Sequence, residues 1–325
     1  MILQHKNLLI SFVLILLPLI TISQENYHFY NDAKLRVNYS KSNNKLNGSY
    51  TSYYTNGKLR AFGSFKDNQR IGLWVVYDTL GNKIAQRQYV SNQSFEVIIG
   101  MKPLSSNFLT KTDENCFSYP FINEKDVQYS CRNWYFIPSF TIGNLDYSDS
   151  IFNVLKTNIR NNNIKMYDST DENLQTPLSS ESFFAKNDVG NYKIIGFNIM
   201  VDEVFYTPFL ANISQVISIA PIVRDIKSGK EYTLFWVYFP EIRKYLAQIE
   251  LKDESLHASN IDDLFFWNNY ESILYKTENI MNQNISNYKS SANEIELERN
   301  RLEVKSIETE HDLWNKCEKL LYWER

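Results

Sequence analysis

The densest apolar run of the chain is Tyr232-Thr-Leu-Phe-Trp-Val-Tyr-Phe-Pro-Glu-Ile-Arg-Lys-Tyr-Leu246, and Leu234 to Phe239 within it carries no charge. A run of that length, rich in aromatic residues and bounded upstream by Gly229, predicts a strand buried on both faces, the central one of its sheet. Pro240 lacks a ladder donor and holds Phe239 extended, so the strand should end there and a short helix over 241–251 should follow. Val216-Ile-Ser-Ile-Ala-Pro221 is a second apolar strand closed by a proline. With the turn Lys227-Ser-Gly229 between them, the two predict a long antiparallel hairpin.

Nearer the N-terminus the pattern repeats every 24 residues. Lys34-Leu-Arg36 recurs as Lys58-Leu-Arg60, Gly48 as Gly72, Tyr50 as Trp74, Tyr53 as Tyr77 and Gly57 as Gly81. Each unit has a Gly-x-aromatic strand start and a turn at Asn56-Gly57 or Gly81-Asn82, which makes it a β-hairpin. Single hairpins cannot bury an aromatic face, so they should stack into one sheet with Tyr54, Phe62, Phe65, Trp74, Tyr77 and Tyr89 on a shared apolar side. The segment resembles MORN-type repeats through Asn47-Gly48, Tyr53-Tyr54, Asn56-Gly57, Leu59, Gly63, Phe65, Gly72 and Trp74. That resemblance covers residues 32–90 and implies a partner-binding module, with Tyr54, Trp74 and Tyr77 as contact candidates and no fixed function.

Residues 91–125 lose the repeat and read as a linker containing Pro103 and Pro120. A second domain, 126–325, opens with an apolar-aromatic strand that ends at Ile137. Ser148 or Asp149 caps a helix bearing Ile151, Phe152, Val154, Leu155 and Ile159 at helical spacing, and a short strand follows at Ile164 to Tyr167. Asn260 caps another helix with Asp262 and Asp263 in its first turn and with Ile261, Leu264, Phe265, Tyr270, Ile273 and Leu274 as its apolar residues. A last helix covers about Ala292 to Trp323. Between Glu294 and Glu310 its apolar residues are Ile295, Leu297, Leu302, Val304 and Ile307, a stripe too narrow for a central helix. Ile295, Leu302 and Ile307 are therefore the expected partner contact on that helix. The fold class is α+β: a hairpin-repeat sheet, then a domain with antiparallel central strands and long C-terminal helices.

Composition places an address and a charge division on this frame. The chain has 325 residues, 43% of them apolar and 15% aromatic, sufficient for real cores. Lys6, the apolar stretch from Leu8 to Ile20 and Thr21-Ile-Ser23 read as residues 1–23 of a cleaved secretory signal, because the apolar core is short for a membrane span. The net charge of -3 is unevenly spread. Residues 24–125 carry 13 Lys and Arg against 8 Asp and Glu, and residues 126–325 carry 20 against 29. The parts are thus about +5 and -9, which supports a boundary near residue 125 and leaves no basic face for nucleic acid. Of the 3 cysteines, Cys116 and Cys131 could pair in an oxidising compartment or remain separate thiols.

Candidate chemistry is sparse. His257 and His311 are the only histidines past residue 30, and neither has a metal-ligand neighbour in sequence. Glu310, His311 and Asp312 are adjacent on a helix and point in different directions, so they predict a packing motif with Trp314 inward rather than an acid-base set. Asp168-Ser-Thr-Asp-Glu172 lacks the spacing and the glycine of a calcium loop and reads as a solvated turn. No phosphate loop, nucleophile elbow or zinc-protease motif occurs. The expectation is a protein without catalytic residues, metal or cofactor.

Four blocks taken together carry a resemblance: Ile219-Ala-Pro221; Leu234-Phe-Trp-Val-Tyr-Phe-Pro-Glu241 with Arg243; Ile261-Asp-Asp-Leu-Phe265; and Glu310-His-Asp-Leu-Trp314. In order and spacing they resemble the GldN/PorN family over about residues 126 to 325. The resemblance implies a non-catalytic periplasmic component of the type IX secretion and gliding-motility machinery of Bacteroidetes, peripheral to the outer membrane. It also implies a ring-forming hetero-oligomer with a GldK/PorK-like lipoprotein and a GldM/PorM-like inner-membrane protein. The family pattern has a glycine at Ser218 and a Tyr-Asp-Arg at Met281-Asn-Gln283, and these departures with the added repeat imply a divergent paralogue. A stand-alone periplasmic or secreted binding module acting through the repeats is the alternative.

The mature protein is expected to begin at Gln24, and N-terminal sequencing of the exported chain checks it; retention of Met1 would refute the signal assignment.

Overall fold

The computed structural model of the chain describes residues 24–92, 94–103, 110–142, 145–187, 189–252 and 258–323. The apolar segment read as a signal and His257 lie outside them. Seven strands, β1 (Gln24–Phe29), β2 (Leu35–Ser42), β3 (Lys45–Tyr53), β4 (Leu59–Lys66), β5 (Gln69–Tyr77), β6 (Lys83–Ser91) and β7 (Ser94–Ile99), form an antiparallel meander in chain order. The 24-residue period recurs in the hydrogen bonds. Tyr30 Oη donates to the Tyr53 carbonyl at 2.8 Å and Tyr54 Oη to that of Tyr77 at 2.7 Å. The amides of Leu46 and Arg70 donate to Asn68 Oδ1 and Asn92 Oδ1, each at 2.8 Å. Asn44 and Asn68 close their hairpins at φ 55° and 66°, left-handed values that asparagine tolerates.

Two expectations about this sheet need correction. It extends past residues 32–90 on both sides, because β1 precedes the repeat and β7 falls in the presumed linker. The rest of that linker is also partly packed, with the Phe117 ring 4.8 Å from that of Phe266. Second, the aromatic residues divide between two faces. Phe65, Trp74 and Tyr89 join Val37, Tyr39 and Tyr50 in a buried cluster, whereas Phe62 and Tyr77 pair on the opposite side at 6.4 Å. Phe62 and Phe65, like Trp74 and Tyr77, stand three residues apart on one strand, so the alternation of side chains puts them on opposite faces. Gly63 lies under the Trp74 ring, where a β-carbon would come within 2.1 Å of it.

The second sheet is built from β8 (Val127–Ile137), β11 (Met166–Tyr167), β12 (Pro177–Leu178), β13 (Tyr192–Tyr206), β14 (Ala211–Asp225), β15 (Glu231–Thr233), β16 (Trp236–Tyr238) and β17 (Ile273–Thr277), with a separate small hairpin of β9 (Thr141–Ile142) and β10 (Leu145–Asp146). Its order is β12-β11-β16-β14-β13-β8-β17, with β15 also beside β14. The expected hairpin around Lys227-Ser-Gly229 is present, with β14 antiparallel to both β15 and β16. The centre, however, is the 15-residue pair β13 and β14 rather than the aromatic run. That run supplies only three strand residues, and Tyr238 is exposed. Pro240 stands in the first turn of helix α3 (Phe239–Leu246), so Phe239 is already helical. Pro221 does not end β14; its carbonyl accepts from the Leu234 amide at 3.0 Å.

Helix α1 (Ser148–Arg160), α3 and α4 (Ile261–Phe266) cover one face of this sheet. Ile151, Leu155, Ile242, Leu246, Leu264 and Phe265 meet Ile137, Phe197, Ile199 and Ile219 in the main core. Asn260 caps α4 as expected, accepting from the Asp263 amide at 2.9 Å. The helix stops at Phe266 because Asn268 turns to φ 51°, which leaves Ile273 and Leu274 to form β17 instead of continuing the helix. The small helices α2 (Ser180–Lys186) and α5 (Ile285–Tyr288) precede the long α6 (Ala292–Trp323). The other face carries a smaller cluster of Trp134, Met200, Ala220 and Trp236.

Trp236 is 2% exposed and donates its Nε1 proton to the Ser169 carbonyl at 3.2 Å. Trp236→Ala is expected to cost about 3–5 kcal/mol in urea denaturation; a loss below about 1 kcal/mol would contradict this packing.

Candidate functional site

Charged side chains gather at the seam where α6 crosses the inner face of the first sheet. Arg36 pairs with Glu308, and Lys41 with Glu303. Arg60 reaches Glu308 at 3.3 Å and Asp312 at 2.8 Å, and Arg70 reaches Glu310 at 2.5 Å. Arg87 meets no carboxylate in the seam; its guanidinium lies 3.8 Å from the Trp314 ring centroid and donates to the Leu210 carbonyl at 2.8 Å. Between these charges, Val304, Ile307, Trp314 and Cys317 pack with Tyr50, Ala61, Phe65 and Trp74. Arg60, Arg70, Glu308 and Glu310 are taken from water, so each needs the partner opposite, whereas Asp312 stays exposed; the buried pairs fix the position of the helix on the strands.

The seam changes the reading of the narrow apolar stripe. Ile307 and Val304 are buried against the chain's own sheet, as Trp74 is from the other side, so these three side chains are occupied within the molecule. A stripe so narrow leaves its flanking glutamates no partner on the helix itself, and the arginines that neutralise Glu308 and Glu310 stand more than 200 residues earlier. Ile295, Leu302, Tyr54 and Tyr77 remain half-buried.

His311 is the chemically unusual member. It is 1% exposed, its rings of contact are Tyr50, Trp74 and Trp314, and neither ring nitrogen has a hydrogen-bond partner. Burial, and then the charges of Arg70, Arg60 and Arg87, hold its pKa well below the ordinary value. Its neighbours Glu310 and Asp312 turn to different arginines, as helical geometry requires, so the three do not converge on one point.

Two of the clefts that adjoin the second sheet gather several charged side chains. One, of about 190 Å³, lies between α6, β13 and the first sheet and is lined by Lys41, Arg70, Glu203, Tyr270, Glu303 and Glu310. Burial raises the pKa of Glu203 against the opposing bonds from Ser306 at 2.9 Å and Tyr135 at 3.2 Å. The other, of about 710 Å³, lies on the outer side of the second sheet. Within it Lys276 sits 4.1 Å from the Trp134 ring centroid and 2.5 Å from Glu172, and Arg132 forks onto Asp202 at 2.6 and 2.7 Å. The cations of both clefts are bound to carboxylates of the same chain. Cys116, Cys131 and Cys317 are free thiols, and among the described residues no three His, Cys, Asp or Glu side chains gather as a metal would require.

Residues 122–315, more than half of the chain, match the family described as "Gliding motility associated protein GldN". The chain belongs to the GldN family. No curated protein matches it. GldN is a family of gliding motility and type IX secretion, and among the described residues no helix is long and apolar enough to cross a membrane.

The blocks that pointed to GldN now have physical roles. Ile219, Leu234, Phe235, Phe239, Ile261 and Phe265 meet in the main core. Arg243 forks onto Asp262, both bonds 2.8 Å, and donates to the Phe117 carbonyl at 2.7 Å. Lys111 holds Asp263 at 2.8 Å. Both aspartates stand in the first turn as expected and are buried, because the hairpin around residues 111–117 covers them. The last block, Glu310 to Trp314, instead serves the seam with strands that lie outside the GldN match.

Because His311 is held neutral when folded but titrates when unfolded, the unfolded chain binds more protons below about pH 6.5, and stability falls as pH falls through that range. His311→Leu should flatten the decline in melting temperature between about pH 7.5 and 5 relative to the unaltered chain. An unchanged slope would place the titrating group elsewhere.

Proposed function

We propose that this GldN-family chain is a non-catalytic structural subunit of the type IX secretion and gliding-motility machinery. It resides in the periplasm against the outer membrane and joins a hetero-oligomeric ring. Its partners are a GldK/PorK-like lipoprotein and a GldM/PorM-like inner-membrane protein. The family match carries the reading. The charged groups of the clefts and the seam also support it, since they are spent on internal pairing and leave a scaffold.

The residues left for the lipoprotein are the half-buried positions of α6, Ile295 and Leu302. The first sheet, whose sequence resembles MORN-type repeats, is the module added to the family core, with Tyr54 and Tyr77 as its contact candidates. Leu302→Asp is expected to weaken co-purification with the GldK/PorK-like lipoprotein at least tenfold, about 1.4 kcal/mol or more, while leaving the melting temperature close to that of the unaltered chain. If Leu302→Asp instead lowers the melting temperature as far as Val304→Asp does, the position is intramolecular and the partner surface lies elsewhere.

A further inference from the structure

The inner face of the first sheet is covered by α6, and its outer face is partly open: Val75 is buried there, whereas Leu73, Gln88 and Ile99 reach solvent. Register places Asn38, Thr51, Phe62, Val75, Gln86 and Ile99 in one row across β2 to β7 on that outer side. A parallel row brings Ser49, Ser64 and Ile71 together, and another pairs Leu73 with Gln88. Leu73 is 40% exposed and Val90 69%. Of the whole chain 22% is charged, yet the first two rows hold no charged residue and the third meets one only at its end, where Gln88 faces Glu96 of the edge strand β7. Glu25, Lys66 and Glu96 stand only on edge strands or a strand end. An apolar centre with a neutral polar surround and charge confined to the rim is the composition of an interface, not of a solvated sheet.

The chemistry of the face narrows its occupant. A strongly acidic or basic partner would find no counter-charge at its centre. A second copy of the same face meets no like charge there, and Phe62, Leu73 and Ile99 supply apolar contact from both sides. Seven strands about 4.8 Å apart, with about eight residues each rising about 3.3 Å, span roughly 900 Å². Two such faces together reach roughly 1,800 Å², the range of a specific protein-protein interface. We propose that the outer face of the N-terminal sheet is a self-association surface on which a second copy packs sheet against sheet about a two-fold axis. This inference does not rest on the secretion-machinery reading, because it concerns the purified chain alone.

Sedimentation equilibrium of the exported full chain at tens of micromolar is expected to give twice the chain mass. Gln88→Arg, at an exposed outer position, and Phe62→Lys, at the centre, should each raise the dimer dissociation constant at least tenfold with unchanged circular dichroism. Ile226→Arg, exposed on the β14–β15 turn, should leave it unchanged. A monomer for the unaltered chain, or a dimer that resists both Gln88→Arg and Phe62→Lys, overturns the proposal, and the exposed Gln88 position keeps the test valid even if the Phe62 variant misfolds.

Discussion

The structure depends on an acidic helix lying in a basic, aromatic trough. Without α6 the inner face of the first sheet would present Arg36, Arg60, Arg70 and Arg87 around Tyr50 and Trp74, and without the sheet Glu308 and Glu310 would have no cations. Buried ion pairs of this kind contribute little net stability against an apolar seam of the same shape, since desolvation offsets most of the attraction. What they do is forbid other alignments: a helix slid by one turn would leave several charges buried without a partner. The charge division between the two halves of the chain is therefore an attraction between them.

The same helix ties the first sheet to the second. Ser306 donates to Glu203 of β13, Arg299 donates to the Leu274 carbonyl of β17 at 2.9 Å, and Glu310 accepts from the Asn212 amide as well as from Arg70. One face of α6 thus reads β2 to β6 while the neighbouring face reads β13, β14 and β17. The last sequence block of the GldN family serves a contact that the family match itself does not contain.

Sequence revealed much of this architecture where local rules decide. The 24-residue period, the Asn-Gly turns, the Asn260 cap and the extent of α6 follow from turn chemistry, capping and helical spacing, which act within a few residues. It failed where a distant segment decided. Glu308 and Glu310 look solvated until Arg36, Arg60 and Arg70 are brought beside them, and Asp262 looks like a helix-dipole residue until Arg243 and the Phe117 hairpin cover it. The shared aromatic face failed for a local reason: Phe62 and Phe65, like Trp74 and Tyr77, stand three residues apart on one strand, and alternation puts them on opposite sides. The aromatic run misled for a different reason: Leu234 and Phe235 fill the core in the break between β15 and β16, where the Leu234 amide alone bonds to β14, so their apolarity marked burial more than strand.

Arrays of repeated hairpins commonly gain or lose units without harm, because each unit touches only its neighbours. Here α6 runs across the array, from Lys41 of β2 through Arg60, Arg70 and Arg87 to the Met101 amide just past β7, which donates to Glu318. One more hairpin would widen the sheet by roughly 10 Å, or about six residues of helix. A duplication of 24 residues at the front would then demand a matching insertion near the C-terminus, bearing carboxylates in the right phase. Copy number in this array is thus inherited jointly by two distant stretches of the chain, and a change in either one alone leaves bare arginines or bare glutamates behind.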